Sequence, residues 1–144
     1  MSIEKNKVVI RKLYEAFDKQ DLGLLDMLVA QDYFDHPRKF NSLQSYKQYL
    51  SVFFKSFPDS HEVIEDMIAE GDKVCIRLRG SATHKGEFMG KAPTGKKIMW
   101  EAISIWRIVD GKIKEMWSFA DQEFSKQLGI DITQAGKTKH DQRE

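Results

Sequence analysis

The sequence predicts an α+β fold in which a mostly antiparallel sheet curves into a cone around N-terminal helices and leaves one end open. Three observations carry this expectation. Apolar residues recur at helical spacing as far as Phe57, and beyond it they alternate with period two. Asp110-Gly111 stands between two alternating runs, and Asp-Gly there is a strong hairpin signal because a type I′ turn needs positive φ at both central positions. Helices followed by strands, rather than alternating with them, indicate α+β and not α/β.

The elements follow in order. Val9, Ile10, Leu13, Tyr14 and Phe17 mark an amphipathic helix over about the first eighteen residues, ending in Asp18-Lys19-Gln20. Asp21 is placed to cap a short second helix with Leu24, Leu25, Leu28 and Val29 as its buried stripe. Tyr33-Phe34-Asp35-His36-Pro37 reads as extended chain, since the residue before proline is pushed out of the helical region. A third helix carries Leu43, Tyr46, Leu50, Phe53, Phe54 and Phe57 on one stripe, capped by Ser42 and stopped by Pro58. Residues 63–69 and 73–83 then form a hairpin around Gly71-Asp72, with Val63, Met67, Ile76 and Leu78 toward the core and Asp66 opposite Arg77 on the other face. Residues 86–97 read as a loop interrupted by Gly86, Gly90, Pro93 and Gly95, carrying Phe88 and Met89 as lid residues. A short helix through Phe124 and Leu128 ends at Gly129. A single domain over 1–132 is expected, with 133–144 a polar, disordered tail.

A two-residue turn at Asp110-Gly111 sets a register in which Trp106 opposes Glu115, Ser104 opposes Trp117, Ala102 opposes Phe119 and Trp100 opposes Asp121. One face then holds Trp100, Trp106, Glu115, Trp117, Phe119 and Asp121, a bulky aromatic wall with a carboxylate in it. The other holds Ile103, Ile105 and Met116 beside a like-charged pair, Arg107 and Lys114. That apolar strip on the sheet back favours a homodimer.

At 144 residues, 41% hydrophobic and 31% charged, the chain has the composition of an ordinary globular domain. Its 23 basic and 22 acidic residues are well mixed, which argues against nucleic acid or an anionic membrane surface as partner. Cys75 is alone in an alternating apolar run, so no internal disulfide is expected and a cytoplasmic location is favoured. Neither a signal peptide nor a run of the roughly 20 apolar residues of a membrane span is present. The histidines do not form a metal-ligand spacing, so no metal or other cofactor is expected.

Several motifs together point further. Phe57-Pro58-Asp59, Glu70-Gly71-Asp72-Lys73-Val74, the run from Thr83 to Gly90 that ends Gly-Glu-Phe-Met-Gly, Pro93-Thr94-Gly95-Lys96, and Asp110-Gly111-Lys112-Ile113 with Glu115, Trp117 and Asp121 resemble the SnoaL-like polyketide cyclases, also called ester cyclases. The resemblance runs from about residue 5 to Gly129. It implies the nuclear-transport-factor-2-like (cystatin-like) α+β cone and a cofactor-independent, acid/base-catalysed intramolecular aldol closure, or isomerisation, of a polyketide-like ester. The position matching the family's acid/base residue is Asp121, and the family's Asp-His-Pro is matched by Asp35, His36 and Pro37. Ser60-His61 and Phe40-Asn41-Ser42 depart from the usual pattern near the mouth, where a change of substrate would be registered.

The candidate catalytic residues are therefore Asp121, whose burial among indoles would raise its pKa into a useful range for a base, and His36 as helper. Trp100, Trp117, Phe119, Phe88, Met89, Phe53, Phe57 and Tyr33 are the candidate substrate-binding residues, suited to a small apolar or aromatic ligand. Asp121 can also be read as a cap of the helix that follows it. Glu115 lies on the order of 20 Å from Asp121 along the strand at ~3.3 Å per residue, too far for a paired-carboxylate site. Three activities share this frame: a cyclase, a non-catalytic carrier of an apolar ligand, and an epoxide-hydrolase-like enzyme activating water between Asp121 and another polar group. Asp66 with Arg77 could belong to such a device but reads more readily as a cross-strand surface ion pair.

Overall fold

The computed structural model describes residues 2–130. The tail expected from Thr133 lies outside the described residues. Helix α1 (Ile3–Lys19) starts where the Ser2 hydroxyl accepts the Lys5 amide at 3.1 Å, and it ends at Gln20 in the left-handed region. Its buried stripe, Val9, Ile10, Leu13 and Tyr14, lies against the sheet. A 3₁₀ turn, Leu22–Leu24, capped by Asp21, leads into α2 (Leu25–Leu28). Helix α3 (Leu43–Ser56) has Ser42 as its cap, and Pro58 follows it two residues on.

The five strands are β1 (Val29–Asp35), β2 (His61–Glu70), β3 (Lys73–Thr83), β4 (Lys97–Val109) and β5 (Lys112–Ala120). They lie in the order β1-β5-β4-β3-β2. Neighbours pair antiparallel except for β1, which runs parallel to β5. The segment expected merely to be extended before Pro37 is thus an edge strand that begins at Val29. Helix α1 packs on β2 and β3, and α3 on β1, so the helices cover one face of the sheet. Helix α4 (Glu123–Leu128) follows β5 and packs on β4.

Two bulges decide which side chains face those helices. At Asp110-Gly111, both with positive φ (50° and 79°), the turn and the pairs Val109 with Lys112 and Ile108 with Ile113 form as expected. The next pair, however, is Arg107 with Glu115, so Lys114 is an extra residue. Every later side chain of β5 changes face: Met116, Ser118 and Ala120 point in, while Glu115, Trp117, Phe119 and Asp121 belong to the outer face. The physical reason is visible at the bulge. The unshifted register opposes Arg107 to Lys114; the bulged one pairs Arg107 with Glu115 and sends Lys114 to Asp32 at 2.9 Å. A second bulge in β2 leaves Glu65 unpaired, between Ile64 with Leu78 and Asp66 with Arg77. Val63, expected in the core, is turned outward and is 45% exposed, and Glu62 is turned inward.

The main core joins the stripes of α1 and α3 to Val74, Ile76, Leu78, Trp106, Ile108, Ile113 and Met116. A second cluster of Phe57, Ala82, Phe88, Ile98 and Leu128 lies under the 84–97 loop. Phe88 is therefore no lid. It is 1% exposed, packed against Phe57 and Phe124, and its loop is held by Ser56 Oγ donating to the Glu87 carbonyl at 2.6 Å.

Candidate functional site

A cavity of about 430 Å³ opens between α1, α3, α4 and the inner face of the sheet. It exists because the inward positions of β4 and β5 near its mouth are small: Ala102, Ser104, Ser118 and Ala120 all line it. In the unbulged register Trp117 and Phe119 would occupy that space.

The polar groups in its wall come from four elements. Glu62 on β2 projects inward because of the bulge at Glu65, and the Trp100 indole N–H donates to its Oε2 at 3.1 Å. Burial raises the Glu62 pKa, opposed by the Trp100 hydrogen bond and the Arg38 charge. Arg38 follows β1. Its guanidinium lies over the Tyr49 ring (4.7 Å) and near Tyr46 (5.5 Å), and its Nη2 stands 3.4 Å from Asp35 Oδ2. Burial disfavours its charge, but the Asp35 carboxylate beside it more than offsets this and its pKa is raised. Asp35 is fully buried, accepting the Tyr33 hydroxyl and the Arg38 amide, each at 2.9 Å. Tyr14, Tyr46 and Tyr49 also line the cavity, and burial pushes their pKa values up, so they remain neutral hydroxyl donors.

This chemistry is not where the sequence placed it. Asp121 is exposed and outside the cavity lining; its Oδ2 accepts the Glu101 amide and its Oδ1 the Glu123 amide, both at 3.1 Å. One oxygen holds the β4 backbone and the other the first residue of α4, which is close to the capping alternative although the cap position itself is Gln122. His36 also faces away from the cavity. Its ring stacks on Trp117 (4.7 Å, 10°) and its Nε2 lies 2.7 Å from Glu115 Oε2, on the outer face with Arg107. Of the expected ligand-binding residues, Trp100 and Phe53 line the cavity and Phe119 touches its mouth while 78% exposed. Trp117 lies on the outer face, Tyr33 is fully buried against Tyr46 and Trp106 and does not line the cavity, and Phe57, Phe88 and Met89 belong to the second cluster. Asp66 and Arg77 form an ion pair of 2.7 Å on the outer face, both about half exposed, so they are not a device of the cavity. Sequence patterning alone does not mark Glu62, Arg38, Tyr49 or Phe124 as residues of the cavity wall. The run Pro37-Arg38 beside a predicted aromatic stripe was the available hint for Arg38; no period-two reading could have turned Glu62 inward.

Among the described residues, no three His, Cys, Asp or Glu side chains gather to hold a metal ion, and no helix is long and apolar enough to cross a membrane.

Comparison with known proteins agrees with this architecture. AclR from Streptomyces galilaeus, described as a candidate hydroxylase, is 30% identical, with a TM-score of 0.76 over 89% of this chain and 98% of that one. IdmH from Streptomyces antibioticus, described as a candidate polyketide cyclase, is 29% identical, with a TM-score of 0.73 over 87% and 99%. TsrD from Streptomyces laurentii shares the fold at 21% identity, with a TM-score of 0.80 over 90% and 98%. No curated protein matches the chain. The family model for the SnoaL-like polyketide cyclases matches residues 7–127, and with the cone, its small-residue wall and its inward carboxyl in place, the chain belongs to that family.

Proposed function

We propose that the protein is a cofactor-independent acid/base catalyst of a polyketide-like ester, closing a ring by intramolecular aldol addition or isomerising the substrate by proton transfer. The observation that carries the reading is Glu62: a carboxyl desolvated in a largely apolar cavity, with a fixed cation, Arg38, in the same wall. Desolvation raises proton affinity, which suits a base that must take a proton from carbon. Glu62 removes the proton between two carbonyls. The enolate charge moves onto oxygen, where Arg38 and the tyrosine hydroxyls can receive it. The carbanion adds to a second carbonyl, forming the carbon–carbon bond, and the proton on Glu62 returns to the new alkoxide. The flat rings of Trp100, Phe53 and Phe124 suit a planar substrate.

The test is exchange of carbon-bound hydrogen into heavy water, followed by proton NMR, over a panel of β-ketoesters and aromatic polyketide methyl esters. Wild type should exchange, Glu62→Gln should lose exchange by at least about a hundredfold while still binding, and Asp121→Asn should retain it. Loss in Asp121→Asn with retention in Glu62→Gln would return the acid/base role to Asp121. Binding without exchange across the panel would make the protein a ligand carrier.

A further inference from the structure

We propose that Gly80 is a positioning residue for Glu62: its missing side chain seats the Trp100 indole across β3, and from that seat the indole N–H reaches the Glu62 carboxyl. The three residues form one row across three strands, Glu62 paired with Gly80 and Gly80 paired with Trp100. A Cβ at Gly80 would lie 2.1, 2.3 and 2.4 Å from Trp100 Cε2, Cζ2 and Nε1, so the ring occupies the volume of the absent side chain. Gly71 and Gly95 take positive φ and have open space around them; Gly80 has neither property, so the indole, not the backbone, requires glycine here. Phe124 meets Trp100 edge-on at 5.3 Å and 89°, so the ring cannot shift toward α4 without moving Phe124. The hydrogen bond is 3.1 Å long.

The consequence for Glu62 has a definite sign. The groups whose charge it feels are Arg38 after β1, His61 beside it on β2 and Asp18 at the end of α1. Tyr14 on α1 and Tyr46 and Tyr49 on α3 stand on the same cavity wall. Within that field the indole N–H stabilises the ionised carboxyl and opposes the effect of burial. Displacing the indole should push Glu62 further up. The role in turnover rests on the reading of Glu62 as acid/base; the geometry and its titration do not.

The experiment compares Gly80→Ala, Trp100→Phe and the two together. It follows the Glu62 side-chain carboxyl carbon by pH titration in NMR, assigned by its loss in Glu62→Gln, alongside the Trp100 indole N–H resonance and thermal midpoints. Gly80→Ala should move the indole resonance and raise the Glu62 midpoint by roughly half a pH unit or more, matching Trp100→Phe in sign and size. Added to Trp100→Phe, it should change the midpoint by less than a third of that, since the indole N–H that it displaces is already gone. If Gly80→Ala alone fails to fold, Gly80→Ala combined with Trp100→Ala, which has no ring to meet the new Cβ, must fold and titrate like Trp100→Ala. A Glu62 midpoint unmoved by either single variant, or additive shifts in the pair, would overturn the proposal, and a fall in thermal midpoint alone would leave Gly80 a packing residue. In the exchange assay Gly80→Ala should lower kcat with KM within about twofold. A wild type that exchanges no substrate would defeat the reading of Glu62 while leaving these titrations able to decide Gly80.

Discussion

Asp35→Ala should be among the most damaging single changes behind the cavity wall, and its size follows from what Asp35 holds. The carboxylate is 0% exposed and takes the Tyr33 hydroxyl, the Arg38 amide and, at 3.4 Å, the Arg38 guanidinium. Truncation leaves a cation packed on three aromatic rings with no carboxylate in contact among the described residues. Removing one partner of a buried ion pair costs about 3–5 kcal/mol. Arg38 keeps some access to the cavity, its side chain being 17% exposed, which places the expectation near the lower end. With a urea slope of about 1–3 kcal/mol per molar, the unfolding midpoint should fall by roughly 2 M with the slope unchanged. Asp35→Asn keeps the hydrogen-bonding shape without the charge and should lose about half as much. Replacing Arg38 by Met in the Asp35→Ala background should recover more than half of the loss, because the uncompensated charge is gone. A midpoint shift below about 0.5 M for Asp35→Ala, or strict additivity in the double variant, would refute the view that the pair is a coupled buried unit.

The remaining predictions concern the two faces of the sheet. Burial holds the folded pKa of Glu62 above its ordinary value, so wild type loses stability relative to Glu62→Gln as pH rises from about 4.3 through the folded pKa; urea melts showing the same gap at pH 4 and pH 8 would refute this. Glu115 is shifted the opposite way, lowered first by its bond to His36 and then by Arg107, so the stability it contributes is present at neutral pH and is lost as pH falls through the depressed value. Melts of Glu115→Gln should accordingly show a deficit at pH 7 that vanishes in acid, and a deficit independent of pH would exclude the ionic explanation. Ala102→Leu should fill part of the cavity, weakening a fluorescent apolar probe at least about tenfold while moving the thermal midpoint by only a few degrees; unchanged probe affinity would mean the ligand sits elsewhere. We also propose that the outer face pairs with a second copy, because Ile68, Cys75, Ile105 and Trp117 form one row across it and Ile103 and Phe119 lie in the next, with Ile68 and Phe119 70% and 78% exposed. Light scattering should find a dimer that Ile103→Lys converts to monomer, and a monomeric wild type would remove the idea.

Much of the fold could be read from the chain because the signals were local. Ser42 and Pro58 bracket α3, Asp21 caps the turn before α2, and Asp110-Gly111 makes the hairpin turn the motif demands. The site was not readable for a reason that is equally specific. Period-two reasoning carries a face assignment along a strand only while the ladder is unbroken, and one extra residue inverts everything beyond it. Lys114 inverted Trp117, Phe119 and Asp121; Glu65 inverted Val63 and Glu62. The like-charged opposition of Arg107 to Lys114 was the one sign in the sequence that the simple register was strained.

The two bulges act together on the chemistry. The one at Lys114 removes four bulky or charged side chains from the interior and substitutes Met116, Ser118 and Ala120, which makes room for a ligand. The one at Glu65 delivers a carboxyl into that room. The acidic groups are thereby separated by environment: Glu115 ends on the outer face between His36 and Arg107, which favour its ionised form, Asp121 is tied to backbone outside the cavity, and Glu62 is left where burial favours its protonated form. A base for carbon acids needs high proton affinity and a nearby donor set. Glu62 has both, with Arg38 and the buried tyrosine hydroxyls sharing its cavity, whereas Glu115 is shifted the other way and neither Glu115 nor Asp121 lines the cavity.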